Sequence, residues 1–439
     1  MCRWIVYVGD MLPKFSHDNL ELLVNAEETL ISRVSERFIP GLYFGLEEDD
    51  VEELKKQANW INVHGFGVSW YTDTLTEFDP SIKGMLPAQF RTIAPISTDL
   101  AFEQLCKHTA SKCTLAHIRD ASFPPVVEVN NHPFVYGKYS FMHNGTVDSF
   151  SKIRYDVMKR IFELQTMVQI SQYKSSVQNS NYVFGIAGNT DTEHLAALYF
   201  AYIDIIQAIK PSFGAHSTDA LLLALFLTIG DIREIQFQHK VGSFTPGPGG
   251  ERLGNALNLC ITAGGVQMLV SRWRDSKKGY PRSLYLSLTA GEKLNRKHYS
   301  ELPDPTSLED VYNTDVKIDS DVTSLLVPSR PVQYEQPLSF SSSDRMFSAC
   351  YVQDWGLLDQ NQCVTVDDNR KLRMINLAKF FGPDSERKDM LDEYHFTEVI
   401  DKIQTLHPTY SPPPAHDLDL PKSKCDAFQK ALHLNAPAK

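Results

Sequence analysis

The chain has 439 residues, with 43 Lys and Arg against 54 Asp and Glu, so its formal charge is -11. Hydrophobic residues make up 42% and charged residues 22%, a balance that excludes global disorder, and the acidic excess argues against nucleic-acid binding through bulk charge. The length allows two or three ordinary domains, or one large one with long insertions.

The longest uncharged apolar run, Ala220 to Ile229, is about half the ~20 residues of a membrane span, so no membrane association is expected. The N-terminus has neither a basic n-region nor a long apolar h-region, so a cytoplasmic location is expected. Seven scattered cysteines without a CxxC pair make neither a disulfide framework nor a zinc ribbon.

In chain order, Cys2 to Val8 is rich in β-formers and predicts a buried strand. Residues 15–60 predict mostly helix. Gly65 to Tyr71 predicts a strand whose glycines let another backbone approach closely. Thr98 to His108 predicts a helix, and Thr114 to Arg119 and Tyr139 to His143 predict strands, with a loop carrying His132-Pro133-Phe134 between them. Residues 150–168 predict an amphipathic helix and 172–181 a polar surface insertion. A cap signal at Asn189 to Glu193 opens a helix to Ile209, and a second helix is predicted at 217–229. Residues 256–262, 265–272 and 282–288 predict a strand meander. The stretch 296–345 is rich in Ser, Pro and Asp and predicts a long loop. Short strands are predicted at 349–354, 362–366 and 371–376, then a C-terminal helix and a Pro-rich tail over 381–439.

Four groups of residues have chemical potential. Removal of Met1 would leave Cys2 with a thiol and an α-amine on one residue. The amine, of pKa about 7.7–8.0, is a suitable base for a thiol of pKa about 8.5. The competing reading is a buried strand cysteine. In Ala116-His117-Ile118-Arg119, His117 and Arg119 share a strand face, and an arginine there either grips a carboxylate or joins a structural ion pair. His143-Asn144-Gly145 ends a predicted strand. It is either a plain turn or a turn that aims an amide side chain and a backbone N–H at one point, as an oxyanion hole requires. Gly188 to Glu193 is a helix cap in which Asp191 is also placed to grip an ammonium group. An Asp and an Arg suit an amino-acid head, and a thiolate with an oxyanion hole suits attack on a γ-carbonyl. Together they describe a γ-glutamyl amide.

The ordered motifs resemble those of the class II glutamine amidotransferases, which are N-terminal-nucleophile (Ntn) hydrolases. They are Met1-Cys2-Arg3, Asn62 to Tyr71, Ala116 to Arg119, Asn130 to Phe134, Met142 to Gly145 and Thr190 to Glu193. The resemblance covers roughly residues 2–290 and returns near 335–376. It is strongest to the small stand-alone type, which includes the fungal amidotransferase subunit of glutathione degradation and the γ-glutamyl hydrolase of ergothioneine synthesis. Leu269 to Asp275 and Ser283 to Ser287 look like that subfamily's second sheet. Two residues depart from the pattern: His64 stands where Asp is usual and Ser69 where Gly is common. Ser122 replaces a common Thr and keeps the hydroxyl.

The resemblance implies an α+β fold, the four-layer αββα sandwich of Ntn hydrolases with long loop insertions. It implies one amidotransferase-like domain over 2–380, with 296–345 as an inserted loop. It implies Cys2 as nucleophile, Asn144 and Gly145 as oxyanion hole, and Arg119, Asp191, His132 and Ser122 as substrate-binding residues. No cofactor or metal is implied. The implied activity is hydrolysis of a γ-glutamyl amide, with glutathione ahead of glutamine, and the implied partner is a metallopeptidase-like subunit.

The chain has no P-loop, no GxGxxG after a strand and no second catalytic module after residue 300. Three other readings stand beside the hydrolase. The chain would be a glutaminase subunit delivering ammonia to a synthase, or an inactive interaction subunit. It would otherwise be a metal-dependent hydrolase using His117, His132 and His143 with Asp120 and Asp191, without any tight ligand spacing to support it.

Overall fold

The computed structural model describes residues 2–8, 64–79, 81–82, 84–109, 111–119, 125–170, 185–213, 217–244, 254–275, 284–287, 338–341, 355–358, 360–369 and 371–406. The predicted helices over 15–60, the polar stretch 172–181, the strand at 349–354, the tail beyond 406 and Ser122 all lie outside these residues.

The described chain is a mixed α/β structure built on two antiparallel sheets. The first has seven strands: β1 (Arg3–Val8), β2 (Phe66–Thr72), β3 (Leu86–Thr92), β4 (Cys113–Ile118), β9 (Tyr285–Ser287), β10 (Leu338–Ser341) and β11 (Trp355–Leu357). Their order is β11-β9-β10-β1-β4-β2-β3. The second has six: β5 (Phe134–Tyr136), β6 (Tyr139–Thr146), β7 (Ala256–Ala263), β8 (Gln267–Arg274), β12 (Gln362–Val366) and β13 (Leu372–Asn376), in the order β13-β12-β8-β7-β6-β5.

The helices are α1 (Thr74–Phe78), α2 (Leu100–Lys107), α3 (Phe150–Ile170), α4 (Asp191–Ile209), α5 (Thr218–Gln238), α6 (Asp384–Glu393) and α7 (Thr397–Leu406). Among the described residues, no helix is long and apolar enough to cross a membrane.

The two sheets pack face to face. Trp4, Val6, Cys113 and Leu115 of the first sheet share one apolar cluster with Met142, Cys260, Val270 and Val364 of the second. Two polar bridges cross this layer: Ser69 Oγ lies 3.1 Å from Ser140 Oγ, and the Tyr71 hydroxyl lies 2.9 Å from Thr262 Oγ1. Ser69, where glycine is common in the resembled family, is thus satisfied by a partner on the opposite sheet.

The outer face of the second sheet is covered by helices. Phe141, Leu257, Leu259 and Ile261 join a second apolar cluster with α3, α4 and α5. Helix α4 is apolar nearly all round, as a helix enclosed on every side must be. Phe396, Val399 and Ile403 belong to the same cluster, so the segment after residue 380 shares the helical core. On the outer face of the first sheet, Phe102 of α2 meets Phe66 with ring centroids 4.6 Å apart.

Four expectations are corrected. Helix α5 runs to Gln238, not to 229, because Asp231 is accommodated inside the bundle: it accepts the Tyr202 hydroxyl and faces Arg160 at 3.7 Å. Tyr285–Ser287 does not continue the meander after β8 but joins the first sheet beside β10. Within the predicted loop 296–345, Leu338–Ser341 is a strand paired with β1, Ile5 opposite Ser341. Lastly, β6 does not end at His143. It continues through Asn144 and Gly145 to Thr146, with Asn144 opposite Asn258 and Gly145 opposite Leu257. The turn reading of Asn144-Gly145 is therefore wrong, because β7 supplies a full-length partner that local sequence does not reveal.

Candidate active site

The candidate residues lie just before β1, at the end of β4, on β6, on the loop that precedes β5 and at the start of α4. Strand β4 lies between β1 and β2, with Trp4 opposite His117 and Gly67 opposite His117. Arg3 pairs with Ile118, which brings Cys2 beside Arg119. Cys2 is half-buried and reduced. Burial lowers the pKa of the Arg119 guanidinium, and the neighbouring Cys2 opposes that shift electrostatically, so the two groups lie within each other's field.

Arg119 is anchored to one loop. It donates to the Pro125 carbonyl at 3.2 Å, to Asn131 Oδ1 at 3.2 Å and to the Val127 carbonyl at 3.4 Å. Asn131 Nδ2 in turn donates to the Thr92 carbonyl at 2.7 Å, and Arg91 donates to the Asn131 carbonyl at 3.2 Å. Gln89 donates to the Pro133 carbonyl. The loop also meets the start of α4, where Asn130 Nδ2 donates to Asn189 Oδ1 at 3.3 Å.

This loop enters the sheet through the glycine-marked strand. A Cβ at Gly67 would stand 2.1 Å from the His132 carbonyl oxygen, so only glycine lets that backbone approach. The His132–Pro133 peptide is cis. The His132 ring packs on His117 with centroids 4.1 Å apart. Burial, with Arg119 adding to it, brings the His117 pKa down to about 3, and burial likewise holds His132 well below its usual value. Both rings are neutral at physiological pH.

Across the gap stands β6. Met142 belongs to the inter-sheet cluster and Phe141 to the helix-side cluster, so Asn144 faces the gap and His143 faces the helices. His143 Nδ1 lies 2.9 Å from Thr192 Oγ1, and its Nε2 lies 3.2 Å from the Ala256 carbonyl oxygen. His143 is thereby held on the other face from Asn144, and His117, His132 and His143 do not converge as a ligand set.

The direction of the Gly145 N–H follows from the ladder. Gly264 N–H donates to the Lys138 carbonyl at 3.1 Å, so even-numbered residues of β6 turn their backbone groups toward β7. Residues 143, 145 and 147 turn theirs to the opposite edge, where β5 has already ended at Phe134 opposite Phe141. At that edge Val147 N–H donates to Asp191 Oδ2 at 2.9 Å. By the same alternation the Gly145 N–H points to that edge, two residues before the Val147–Asp191 bond. A Cβ at Gly145 would come within 1.7 Å of the Ala256 carbonyl oxygen, so no other residue fits there.

Asp191 is the first residue of α4. Its Oδ1 accepts the Thr192 N–H at 2.8 Å, and Thr190 caps the helix by accepting the Glu193 N–H at 3.1 Å. Glu193 accepts the Ala187 and Gly188 N–H groups at 2.9 and 2.8 Å, which ties the segment before the cap to the helix start. The cap predicted from sequence is thus present, and it also fixes Asp191.

Arg119 therefore lies beside Cys2, its loop carries His132, and Asn144, Gly145 and Asp191 lie along the end of β6. Ser122 lies outside the described residues. Asn131, inside the Asn130 to Phe134 motif, secures the Arg119 loop together with Arg91 and Gln89, which carry no sequence signal of their own. Among the described residues, no group of three or more His, Cys, Asp or Glu is placed to hold a metal ion.

No family model matches the chain. It is 25% identical over 288 residues to the probable glutamine amidotransferase DUG3 of Saccharomyces cerevisiae, covering 65% of this chain and 68% of that protein. It is 28% identical over 105 residues to the gamma-glutamyl-hercynylcysteine sulfoxide hydrolase of Mycobacterium tuberculosis, covering 24% of this chain and only 40% of the relative. Among solved structures, a glutamine aminotransferase class-II domain protein from Silicibacter pomeroyi aligns over 86% of this chain and 99% of its own, at 16% identity and a TM-score of 0.40. The glutamine phosphoribosylpyrophosphate amidotransferase of B. subtilis aligns over 86% of this chain and 49% of its own, at 11% identity and a TM-score of 0.38.

Proposed function

We propose that this chain, a sequence relative of the glutamine amidotransferases, hydrolyses γ-glutamyl amide bonds with Cys2 as an N-terminal nucleophile. The observation that supports this reading is a pair of charged neighbours: Arg119 lies within the field of Cys2, and Asp191 binds the β6 edge two residues beyond Gly145. One carboxylate and one guanidinium flank a thiol and an N–H donor, which matches the polar pattern of a γ-glutamyl group. The curated relatives' names, a glutamine amidotransferase and a γ-glutamyl hydrolase, share that bond.

In the proposed reaction, Asp191 holds the substrate α-ammonium and Arg119 the α-carboxylate. The His132 ring walls the pocket. The Cys2 α-amine takes the thiol proton, and the thiolate attacks the γ-carbonyl carbon. The Asn144 amide and the Gly145 N–H donate to the resulting oxyanion. The amine returns its proton to the departing nitrogen, leaving a γ-glutamyl thioester. Water, deprotonated by the same amine, then releases glutamate and restores the thiol. No cofactor enters these steps.

Helix α2 outside the first sheet, the two packed sheets, and α3 to α5 outside the second support a four-layer αββα sandwich as the finer fold. A cytoplasmic enzyme with glutathione as substrate and a metallopeptidase-like partner subunit is the reading we favour.

The test is turnover of purified protein on glutamine, glutathione and other γ-glutamyl compounds, together with intact-mass measurement. A protein beginning at Cys2 should release glutamate, and Cys2→Ala should abolish turnover with folding intact. Full activity in a protein that retains Met1 would overturn the mechanism, since an amide nitrogen is no base.

A further inference from the structure

Strand β6 leaves its ladder with β7 at Thr146 opposite Ala256, and from there side chains take over as its partners. Asp148 N–H donates to Asn255 Oδ1 at 3.0 Å, and the Asp148 carbonyl accepts Gln236 Nε2 at 2.7 Å. Asn255 is itself saturated. Its Oδ1 accepts Gln236 Nε2 at 2.9 Å, and its Nδ2 donates to Gln236 Oε1 at 2.8 Å and Asp275 Oδ2 at 2.7 Å. Its backbone N–H donates to Asp275 Oδ1 at 2.5 Å. Arg233 completes the set, donating to Asp275 Oδ2 at 3.2 Å. Arg233, Gln236, Asn255 and Asp275 are all buried.

The network adjoins the oxyanion strand on both sides. Asp148 lies three residues after Gly145. Asn255 immediately precedes Ala256, whose carbonyl walls Gly145 and contacts His143. Displacement of Asn255 therefore moves that wall. A buried ion pair is weak evidence for stability alone, because well-packed apolar groups often replace one at no loss. A network whose every polar group is satisfied does specify a single geometry.

We propose that Asn255 and Asp275, held by Arg233 and Gln236, are positioning residues that set the Asn144 and Gly145 donors for the oxyanion. The inference rests on the γ-glutamyl hydrolase reading and deepens it. Asn255 and Gln236 supply the lateral hydrogen bonds to Asp148 that backbone pairing no longer gives, and Asp275 fixes which way the Asn255 amide faces.

Two variants test this. Asn255→Asp sets a carboxylate against Asp275. Gln236→Met removes the donor to Asp148 and both hydrogen bonds exchanged with Asn255, and leaves Asp275 in place. Each should lower kcat about 10- to 100-fold, as a donor displaced from an oxyanion does. KM and the rate of Cys2 alkylation by iodoacetamide should stay within about twofold, since neither uses the oxyanion. Amide exchange at Val147 and Asp148 should quicken about tenfold or more. The double change Asn255→Asp with Asp275→Asn restores a donor opposite an acceptor and should regain about tenfold of the lost kcat.

A folded Gln236→Met variant with wild-type kcat and wild-type exchange overturns the proposal. So does a parallel fall of kcat, KM fit and alkylation with the unfolding midpoint, which marks general loosening. If the wild type turns over no γ-glutamyl amide, the functional reading fails on its own. The exchange rates then still decide whether the network holds the end of β6, and unchanged rates sink it.

Discussion

The Asp191 carboxylate accepts the Val147 backbone N–H at 2.9 Å, two residues beyond Gly145. One side chain thereby joins the first turn of α4 to the residue that follows β6. A carboxylate oxygen has two acceptor sites, so Asp191 can hold this bond and a substrate ammonium together.

That double duty makes Asp191→Asn informative. The amide keeps one acceptor but loses the charge. We expect kcat/KM for γ-glutamyl donors to fall about 100-fold, in line with a lost charge-assisted bond of about 3 kcal/mol. A donor lacking the α-amine should lose little, since it has no ammonium to bind. Equal losses on both donors would show that Asp191 acts only through Val147.

The strand placement of Asn144 sharpens a second test. Asn144→Asp preserves shape but points a carboxylate into the gap between the sheets. We expect kcat to fall by about 10²-fold or more with KM nearly unchanged, because the Asn144 bond strengthens only in the transition state. Steady-state kinetics with any accepted γ-glutamyl donor decides it. Near-normal kcat would remove Asn144 from the oxyanion hole.

Gly67→Ala should act at a distance. The new methyl group collides with the His132 carbonyl, a backbone atom that cannot simply rotate aside. The loop bearing His132 also anchors Arg119. We expect about 1–3 kcal/mol of lost stability by denaturant unfolding, together with a raised KM. Unchanged stability would mean that the loop approaches β2 less closely than described.

His194 gives a pH signature. Its Nδ1 lies 2.8 Å from the Thr190 carbonyl oxygen, and its Nε2 accepts Arg154 Nε at 3.0 Å. Burial, with Arg154 adding to it, brings its pKa to about 4, below the unfolded value of 6.5. Between those values the unfolded chain binds the extra proton, so stability is full above pH 6.5 and lost as pH falls toward 4. The loss is about 1.4 kcal/mol per pH unit at most from this group. Denaturant midpoints measured at pH 7 and pH 5 should differ less in His194→Gln than in the wild type.

Cys2, the Ala116–Arg119 run and the Thr190–Glu193 cap were legible because their signals are local. A hydrophobic run sets a strand, a period of two puts His117 and Arg119 on one face, and a helix N-cap needs only residues three apart. The strand at Gly65 to Tyr71 was legible for the same reason, down to the close approach that its glycines allow. Local signals failed at Asn144-Gly145, which reads as a turn until β7, more than a hundred residues later, extends the ladder. They failed again at Leu338–Ser341, where a polar segment is recruited beside β1, and at Asn255 and Asp275, which look like ordinary polar residues in the chain. Backbone pairing and buried polar networks are settled by groups distant in sequence, each of which must find a partner when water is excluded. Only the packed sheets bring those partners together, and so only the tertiary structure decides which way the Gly145 N–H points.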